Sequence, residues 1–399
     1  MPNAEQADVT VVAQDTGGSA DAPPLAGRLG VTPIPVGVSL ALVATSSFST
    51  LVLELVAGRL LAPAVGVSLY SWTAIIGTVL GAIAVGNDLG GRLARRREAA
   101  PVLEVTLNVA AAYIAGIAVL AHLLVIDDLA IWMPSLPRLF LFVAAVGVVP
   151  CVLLGTTGPM VAHSTIATRG VSDAGPIVGR LGAVATAASL AGAFGTGFVF
   201  VPFLGTRATL AMVAILLAVV APLANPAPAN RRRRVRQVVV TACIVIAAVW
   251  AWAAADGARM VVARSVETRR MALPGRPVPT GCLVESAYAC IRLDWSTVGR
   301  FQYGRVRLDR SVQGQTAPET PRLLTSQISQ ALGDTIAMTS GALPGTANLP
   351  PMRILFIGGG SYTLPRWVEA VAPGSHLHVI EVDPEVTAVG VRWLGVSLS

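Results

Sequence analysis

Residues 353–367 read Arg-Ile-Leu-Phe-Ile-Gly-Gly-Gly-Ser-Tyr-Thr-Leu-Pro-Arg-Trp, and residues 378–386, one helix length on, read His-Val-Ile-Glu-Val-Asp-Pro-Glu-Val. An apolar run, Ile354 to Ile357, breaks into three glycines, and a second apolar run ends on an acid, Glu381. This order predicts the opening of a nucleotide-binding βαβ unit. Glycines let the backbone turn sharply into a helix and approach a ligand closely, and a carboxylate ending the second strand can take both hydroxyls of a ribose. Gly358, Gly359, Gly360 and Glu381 are therefore the candidate ligand-binding residues. The dinucleotide fingerprint asks for a further glycine where this chain has Thr363, so an adenosyl ligand without a pyrophosphate, of the S-adenosylmethionine type, fits better. An ordinary tight βα turn with no ligand is the alternative.

The rest of the chain is not that of a soluble enzyme. Apolar residues make up 54% and charged residues 13%, and the mean hydropathy is +0.67, which points to several membrane spans. The net charge of +7 comes mainly from clustered arginines. These flank apolar spans and lack interleaved aromatics, so they read as topology signals and not as a nucleic-acid surface. Residues 1–35 are polar, with no basic start followed by an early apolar run, and read as a disordered cytoplasmic tail.

Seven spans are expected: Val36–Leu61, Ser68–Leu89, Val102–Ile126, Leu139–Ala162, Ile177–Leu204, Ala208–Ala224 and Val238–Ala255. The last is just long enough for the ~30 Å hydrocarbon core, and with Trp250 and Trp252 it could instead lie in the interface, leaving six. Small residues such as Gly-Ala-Phe-Gly-Thr-Gly at 192–197 suit close helix packing in lipid. Arg92 and Arg95 to Arg97 follow the second span, and Arg231 to Arg234 with Arg236 follow the sixth. Both clusters should be cytoplasmic, which makes the N-terminus cytoplasmic in a multi-pass cell (inner) membrane protein. With seven spans, everything after Ala255 would then lie outside.

Among polar groups in the spans, Glu54 and Arg59 are expected to pair locally near the outer interface. Asp88 and Arg92, four apart, can pair on one helix face, and Glu104 and Asn108 show the same spacing and could line a polar seam. Cys151 and Cys243 read as small apolar residues, whereas Cys282 and Cys290 could form a disulfide if they lie outside. His376 and His378 lack further ligands at metal spacing, so no metal site is expected.

The domain reading is a tail at 1–35, a transmembrane helical domain at 36–255, a small β-unit at 256–340 and a partial Rossmann-like nucleotide-binding unit at 341–399. Strand-like runs in the β-unit are Met260–Val266, Cys290–Trp295 and Gly304–Asp309, with a helix over 321–333 and a Gly/Pro-rich linker from Thr339 to Pro351.

Taken in order, the motifs resemble the membrane-fused spermidine synthase-like family, a multi-span domain followed by an aminopropyltransferase-like domain of methyltransferase type. The resemblance rests on Glu54-Leu55, Gly58-Arg59-Leu60-Leu61-Ala62-Pro63 and Tyr70 with Trp72. It continues through Gly86, Gly90-Gly91-Arg92, Pro150, Pro159, Gly179-Arg180 and Pro202-Phe203-Leu204-Gly205. In the soluble part it is carried by Glu285-Ser286, Tyr288, Leu308-Asp309, Gln313 and the glycine turn with Tyr362-Thr363 and Pro365-Arg366. The resemblance implies that Gly358, Gly359, Gly360 and Glu381 hold the adenosyl part of decarboxylated S-adenosylmethionine. Asp383 matches the second acid of a Glu-x-Asp motif, and Gln313 stands near the same ligand. The implied activity is aminopropyl transfer to a small amine, in polyamine biosynthesis. The family's catalytic aspartate lies on a later strand than the two present before Ser399, so no catalytic residue is assigned, and a partner supplying the rest of the sheet, or a chain that is a fragment, is expected. The alternatives are a non-catalytic membrane assembly protein and a small-molecule or polyamine transporter. The expected partners are the lipid bilayer and a small amine, with a homo-oligomer left open and no nucleic acid.

Overall fold

A computed structural model describes residues 34–124, 135–225, 232, 235–250, 253, 282–298, 301–346 and 348–398. Among the described residues, six helical segments are long and apolar enough to cross a membrane: Val36–Pro63, Leu69–Arg96, Ala99–Val119, Leu139–Arg169, Val171–Leu204 and Thr206–Ala224. The expected seventh span appears as a shorter apolar helix, Val235–Trp250. At ~1.5 Å per residue it covers roughly 24 Å, less than the ~30 Å core. The first three segments are the single helices α1 (Val36–Val65), α2 (Leu69–Arg96) and α3 (Ala99–Leu124). Ser68 starts α2 through a reciprocal cap. Its hydroxyl accepts from Ser71 N at 3.2 Å while Ser68 N donates to the Ser71 hydroxyl at 2.8 Å.

The fourth and fifth segments, expected as continuous helices, are interrupted. The fourth runs α4 (Ser135–Val143), a π-turn (Ala144–Val148), α5 (Val149–Gly155) and α6 (Thr157–Arg169). The fifth runs α7 (Ala174–Gly195), a π-turn (Thr196–Phe200) and α8 (Val201–Leu204). Each π-turn leads into a helix with proline in its first turn, Pro150 and Pro202. A proline has no N–H for the preceding carbonyls and its ring crowds the turn before it, and a widened turn relieves both. α9 (Thr206–Val220), a closing 3-10 turn (Ala221–Ala224) and α10 (Val235–Trp250) complete the bundle.

One apolar core runs through it, from Leu42 and Val56 of α1 to Leu107 and Ile114 of α3 and Leu217 of α9. α2 crosses the fourth segment in backbone contact. A Cβ on Gly86 would lie 2.3 Å from Val152 O, and one on Gly90 2.6 Å from Thr156 O. These positions admit only hydrogen, so the backbones touch.

After the bundle come β1 (Val284–Glu285), β2 (Cys290–Val298), β3 (Phe301–Leu308) and β4 (Ser311–Thr316), an antiparallel sheet in that order with a bulge at Val306/Arg307. The expected strand at Met260–Val266 lies outside the described residues. The expected helix over 321–333 sits six residues later as α11 (Gln327–Thr339), because Ser326 caps it by accepting from Ser329 N at 3.0 Å.

The chain then forms β5 (Arg353–Ile357), α12 (Thr363–Val371), β6 (His376–Ile380) and α13 (Pro384–Trp393), with β5 and β6 parallel and in register from Arg353↔His376 to Ile357↔Ile380. The two sheets are joined through shared cores. Ile291, Leu293 and Val306 of the antiparallel sheet pack with Tyr362, Val386 and Val389, and α11 packs through Ala337 on Trp367 and Val368 of α12.

Candidate functional site

The predicted ligand residues converge at the junction of β5, α12 and β6. Gly358 and Gly360 hold φ of +93° and +52°, and Tyr362 follows at +55°. This left-handed sequence reverses the chain between strand and helix, which side chains other than glycine rarely allow. The Glu381 carboxylate braces the turn from the end of β6. Its Oε2 accepts from Gly359 N at 2.6 Å and its Oε1 from Asp383 N at 2.9 Å. A carboxylate has about four acceptor positions, so one lone pair on each oxygen remains for two adjacent hydroxyls of a ligand.

The space in front of the turn is uneven. A Cβ on Gly358 would meet nothing within 4 Å, whereas one on Gly359 would lie 2.5 Å from the Tyr362 ring. Ile357, 86% exposed, and Val382, 69% exposed, flank the opening and offer apolar surface for a flat ring. Thr363, where a dinucleotide site keeps a glycine, is buried and donates its hydroxyl to Gln315 O at 2.8 Å. The Gln313 side chain is exposed, while its backbone carbonyl oxygen would lie 3.3 Å from a Cβ on Gly360, so β4 packs against the turn. Asp383 is 2% exposed and caps α13 by accepting from Glu385 N at 3.1 Å. Of the six predicted residues, Gly358 and Glu381 lie on the open side of the turn, Gly359 is covered by the Tyr362 ring, Gly360 packs against Gln313 of β4, and Asp383 serves the helix behind.

Tyr362 carries a role that the pattern did not signal. Its ring shields Gly359 and Gly390, and its hydroxyl shares a 2.6 Å hydrogen bond with Thr387. Arg366 ties the turn's helix to the rest of the unit, donating to Gly395 O at 3.1 Å and Pro318 O at 2.9 Å. Burial lowers its pKa from the ordinary arginine value, and Glu369 partly offsets this. His376 and His378 lie on the exposed face of β6, and the described residues contain no group of three His, Cys, Asp or Glu placed to hold a metal.

The sheet unit after the bundle is seated on it by charged groups. Arg59, late in α1, donates to the carbonyls of Ser286 and Tyr288. Arg292, 4% exposed, donates to Pro63 O at 2.7 Å. Glu285 accepts from Thr206 N at 3.1 Å and from the Thr206 hydroxyl, at the start of α9. Asp309 accepts from Cys290 N at 3.1 Å. Burial raises its carboxyl above the usual range, opposed by that hydrogen bond and by Arg59 and Arg292. Cys282 and Cys290 form a disulfide with Cα atoms 5.3 Å apart, closing the loop that receives Arg59.

Arg59 therefore serves the sheet unit and not Glu54, which has no hydrogen-bond or ion-pair partner among the described residues. Asp88 and Arg92 pair as expected, at 2.7 Å on an exposed face.

This seat lies where α1 ends and α2 begins. Arg95 and Arg96 close α2 at its other end, roughly 40 Å away along the helix axis, so the sheet and this arginine cluster occupy opposite ends of the bundle. No family model, curated protein or solved structure matches the chain.

Proposed function

We propose that this chain is an integral membrane, spermidine synthase-like protein whose last unit is the start of a Rossmann-like, methyltransferase-type domain that binds an adenosyl ligand. The observation that carries the reading is the contact between the glycine turn and the acid ending β6, Gly359 N to Glu381 at 2.6 Å. It sets a carboxylate with spare acceptor positions beside the open backbone at Gly358, where a Cβ would meet nothing within 4 Å, and a nucleoside needs both.

The ligand the resemblance implies is decarboxylated S-adenosylmethionine, as a substrate. In aminopropyl transfer an amine nitrogen attacks the methylene carbon next to the sulfonium, the C–S bond breaks, methylthioadenosine leaves with the electron pair, and the new ammonium gives up a proton. On this reading Glu381 takes the ribose hydroxyls, the glycine backbone lies against the sugar, and Ile357 and Val382 flank the adenine. We assign none of the described residues as the base that receives the proton. The test is formation of methylthioadenosine from decarboxylated S-adenosylmethionine and putrescine by the purified chain. Product that depends on Glu381 supports transfer, and its absence restricts the unit to binding.

A second reading, a non-catalytic assembly or transport protein, is favoured by the seating of the soluble unit. With the arginine clusters cytoplasmic, the sheet and the Cys282–Cys290 disulfide face outward, away from the cytoplasmic supply of adenosyl donors. A C-terminal reporter active in one compartment separates the two: a cytoplasmic signal keeps the donor in reach, and an outside signal favours assembly or transport.

A further inference from the structure

The antiparallel sheet gives one face to α13 and the other to the end of the bundle. Side chains alternate between the faces along each strand. Ile291, Leu293 and Val306 take the first face, packed with Val386 and Val389 of α13. Arg292 takes the second, and its guanidinium donates to Pro63 O, where α1 ends, at 2.7 Å. Asp294 and Ser296, two and four residues on, share that second face with the residues opposite them on β3.

The register sets Arg307 opposite Arg292, Arg305 opposite Asp294, Tyr303 opposite Ser296 and Phe301 opposite Val298. Leading away from α1, the face therefore carries three arginines and one acid, then a tyrosine, then a phenylalanine. Like charges directly opposite one another on a sheet repel, and Arg292 and Arg307 are such a pair. Asp294 lies 3.0 Å from Arg307 Nε and offsets one of the three positive charges. Arg305 has neutral neighbours, the Ser296 hydroxyl at 3.5 Å from Nη2 and the Tyr303 ring centre at 5.9 Å. Arg305 and Arg307, two residues apart on one face, stand roughly 7 Å apart along the strand, so their guanidinium groups can take one phosphate between them, for which the planar fork of arginine is suited.

The face also lies at the right depth for a headgroup. A Cβ on Gly66, in the α1–α2 turn, would lie 3.7 Å from Arg310 Cδ in the β3–β4 turn. Just past Gly66, Leu69 and Tyr70 are 81% and 74% exposed at the start of α2, an apolar and an aromatic side chain where a span meets the headgroup layer.

We propose that this face of the sheet is a docking surface for anionic phospholipid headgroups, with Arg305 and Arg307 holding the phosphate and Tyr303 and Phe301 lying in the headgroup layer. The excess of arginine over acid selects an anionic lipid over a zwitterionic one, whose own cation competes for its phosphate. The lipid supplies a second support for the sheet unit, because Arg59, Arg292 and Glu285 all tie it to the bundle at the end where β2 begins.

The test uses the full chain in nanodiscs of equal parts phosphatidylcholine and phosphatidylglycerol, with one or the other carrying a photoreactive headgroup, and reads crosslinks by peptide mass spectrometry. The expected result is labelling of the β2–β3 hairpin at least threefold stronger from phosphatidylglycerol than from phosphatidylcholine. Arg305→Gln should lower the phosphatidylglycerol labelling of the hairpin about fivefold and leave labelling beside Arg95 and Arg96, at the other end of the bundle, unchanged. Should that variant fail to fold, the wild-type chain decides through added salt, which should bring hairpin labelling from phosphatidylglycerol down toward that from phosphatidylcholine. Equal labelling from the two lipids, no response to salt, or unchanged labelling in Arg305→Gln overturns the surface. Displacement by inorganic phosphate that chloride at the same ionic strength does not match assigns the arginines to a soluble anion and overturns it as well.

Discussion

Gly86→Ala is the substitution for which the bundle makes its sharpest demand. The new methyl would sit 2.3 Å from the Val152 carbonyl oxygen and 3.0 Å from Gly155 Cα. Non-bonded carbon contacts settle near ~3.5 Å, so α2 and α5 would have to part by about 1 Å. Both obstacles are backbone, so no rotamer change relieves them. Overpacking of this kind costs about 1–3 kcal/mol, and the better helix propensity of alanine, up to ~1 kcal/mol, opposes it only in part. Gly81, on the same helix with nothing within 4 Å of its Cβ position, is the internal control: Gly81→Ala gains the propensity without the clash and should be neutral or stabilising. Thermal midpoints of the two variants in detergent give the comparison. Adding Gly90→Ala to Gly86→Ala should cost less than the sum, because one displacement relieves both contacts. A Gly86→Ala protein as stable as Gly81→Ala would refute the close crossing of α2 on the fourth segment.

Arg59→Ala removes both donors to Ser286 and Tyr288; hydrogen bonds to charged groups contribute about 1.5–3 kcal/mol each, so faster proteolysis between bundle and sheet is expected, and an unchanged rate would deny the seat. Asp309 has its pKa raised by burial from an ordinary value of about 3.8. The folded state therefore binds its proton more tightly than the unfolded state, and the stability this contributes is present below the ordinary value and lost as pH rises through the raised one. Asp309→Asn should flatten that part of a stability-against-pH curve, and an unchanged slope would contradict the burial. Cys282→Ser opens a loop closed across 8 positions, for which chain entropy gives about 2.5 kcal/mol, read as a lower midpoint under non-reducing conditions that matches wild type under reducing ones.

The spans were legible because apolar runs of membrane length have few other readings, and the Asp88–Arg92 pair because helical spacing alone puts the two together. The βα turn was legible because glycines after an apolar run, and an acid closing the next run, are local signals. The π-turns were not, since Pro150 and Pro202 mark a defect without saying whether the helix kinks, stops or widens. α11 was placed six residues early because apolar spacing overlooked the Ser326 cap. The seat of the sheet unit was the least legible: Arg292 and Pro63 lie 229 residues apart, and the nearby Glu54 offered Arg59 a local partner that the fold does not use. Tyr362 was hidden for a related reason, since only the three-dimensional turn shows that its ring fills the space a side chain at Gly359 would need.

The central claim is that the turn at Gly358–Gly360 and Glu381 form an adenosyl site. The measurement that bears on it most directly is equilibrium binding of decarboxylated S-adenosylmethionine, and of methylthioadenosine, to the purified full chain, with Glu381→Ala alongside. The claim predicts saturable binding of both, since both carry the adenosine, and at least tenfold weaker binding to Glu381→Ala with an unchanged thermal midpoint for the bundle. No binding to the wild-type chain, or equal binding to both proteins, would contradict it and leave the turn as a purely structural connection between β5 and α12.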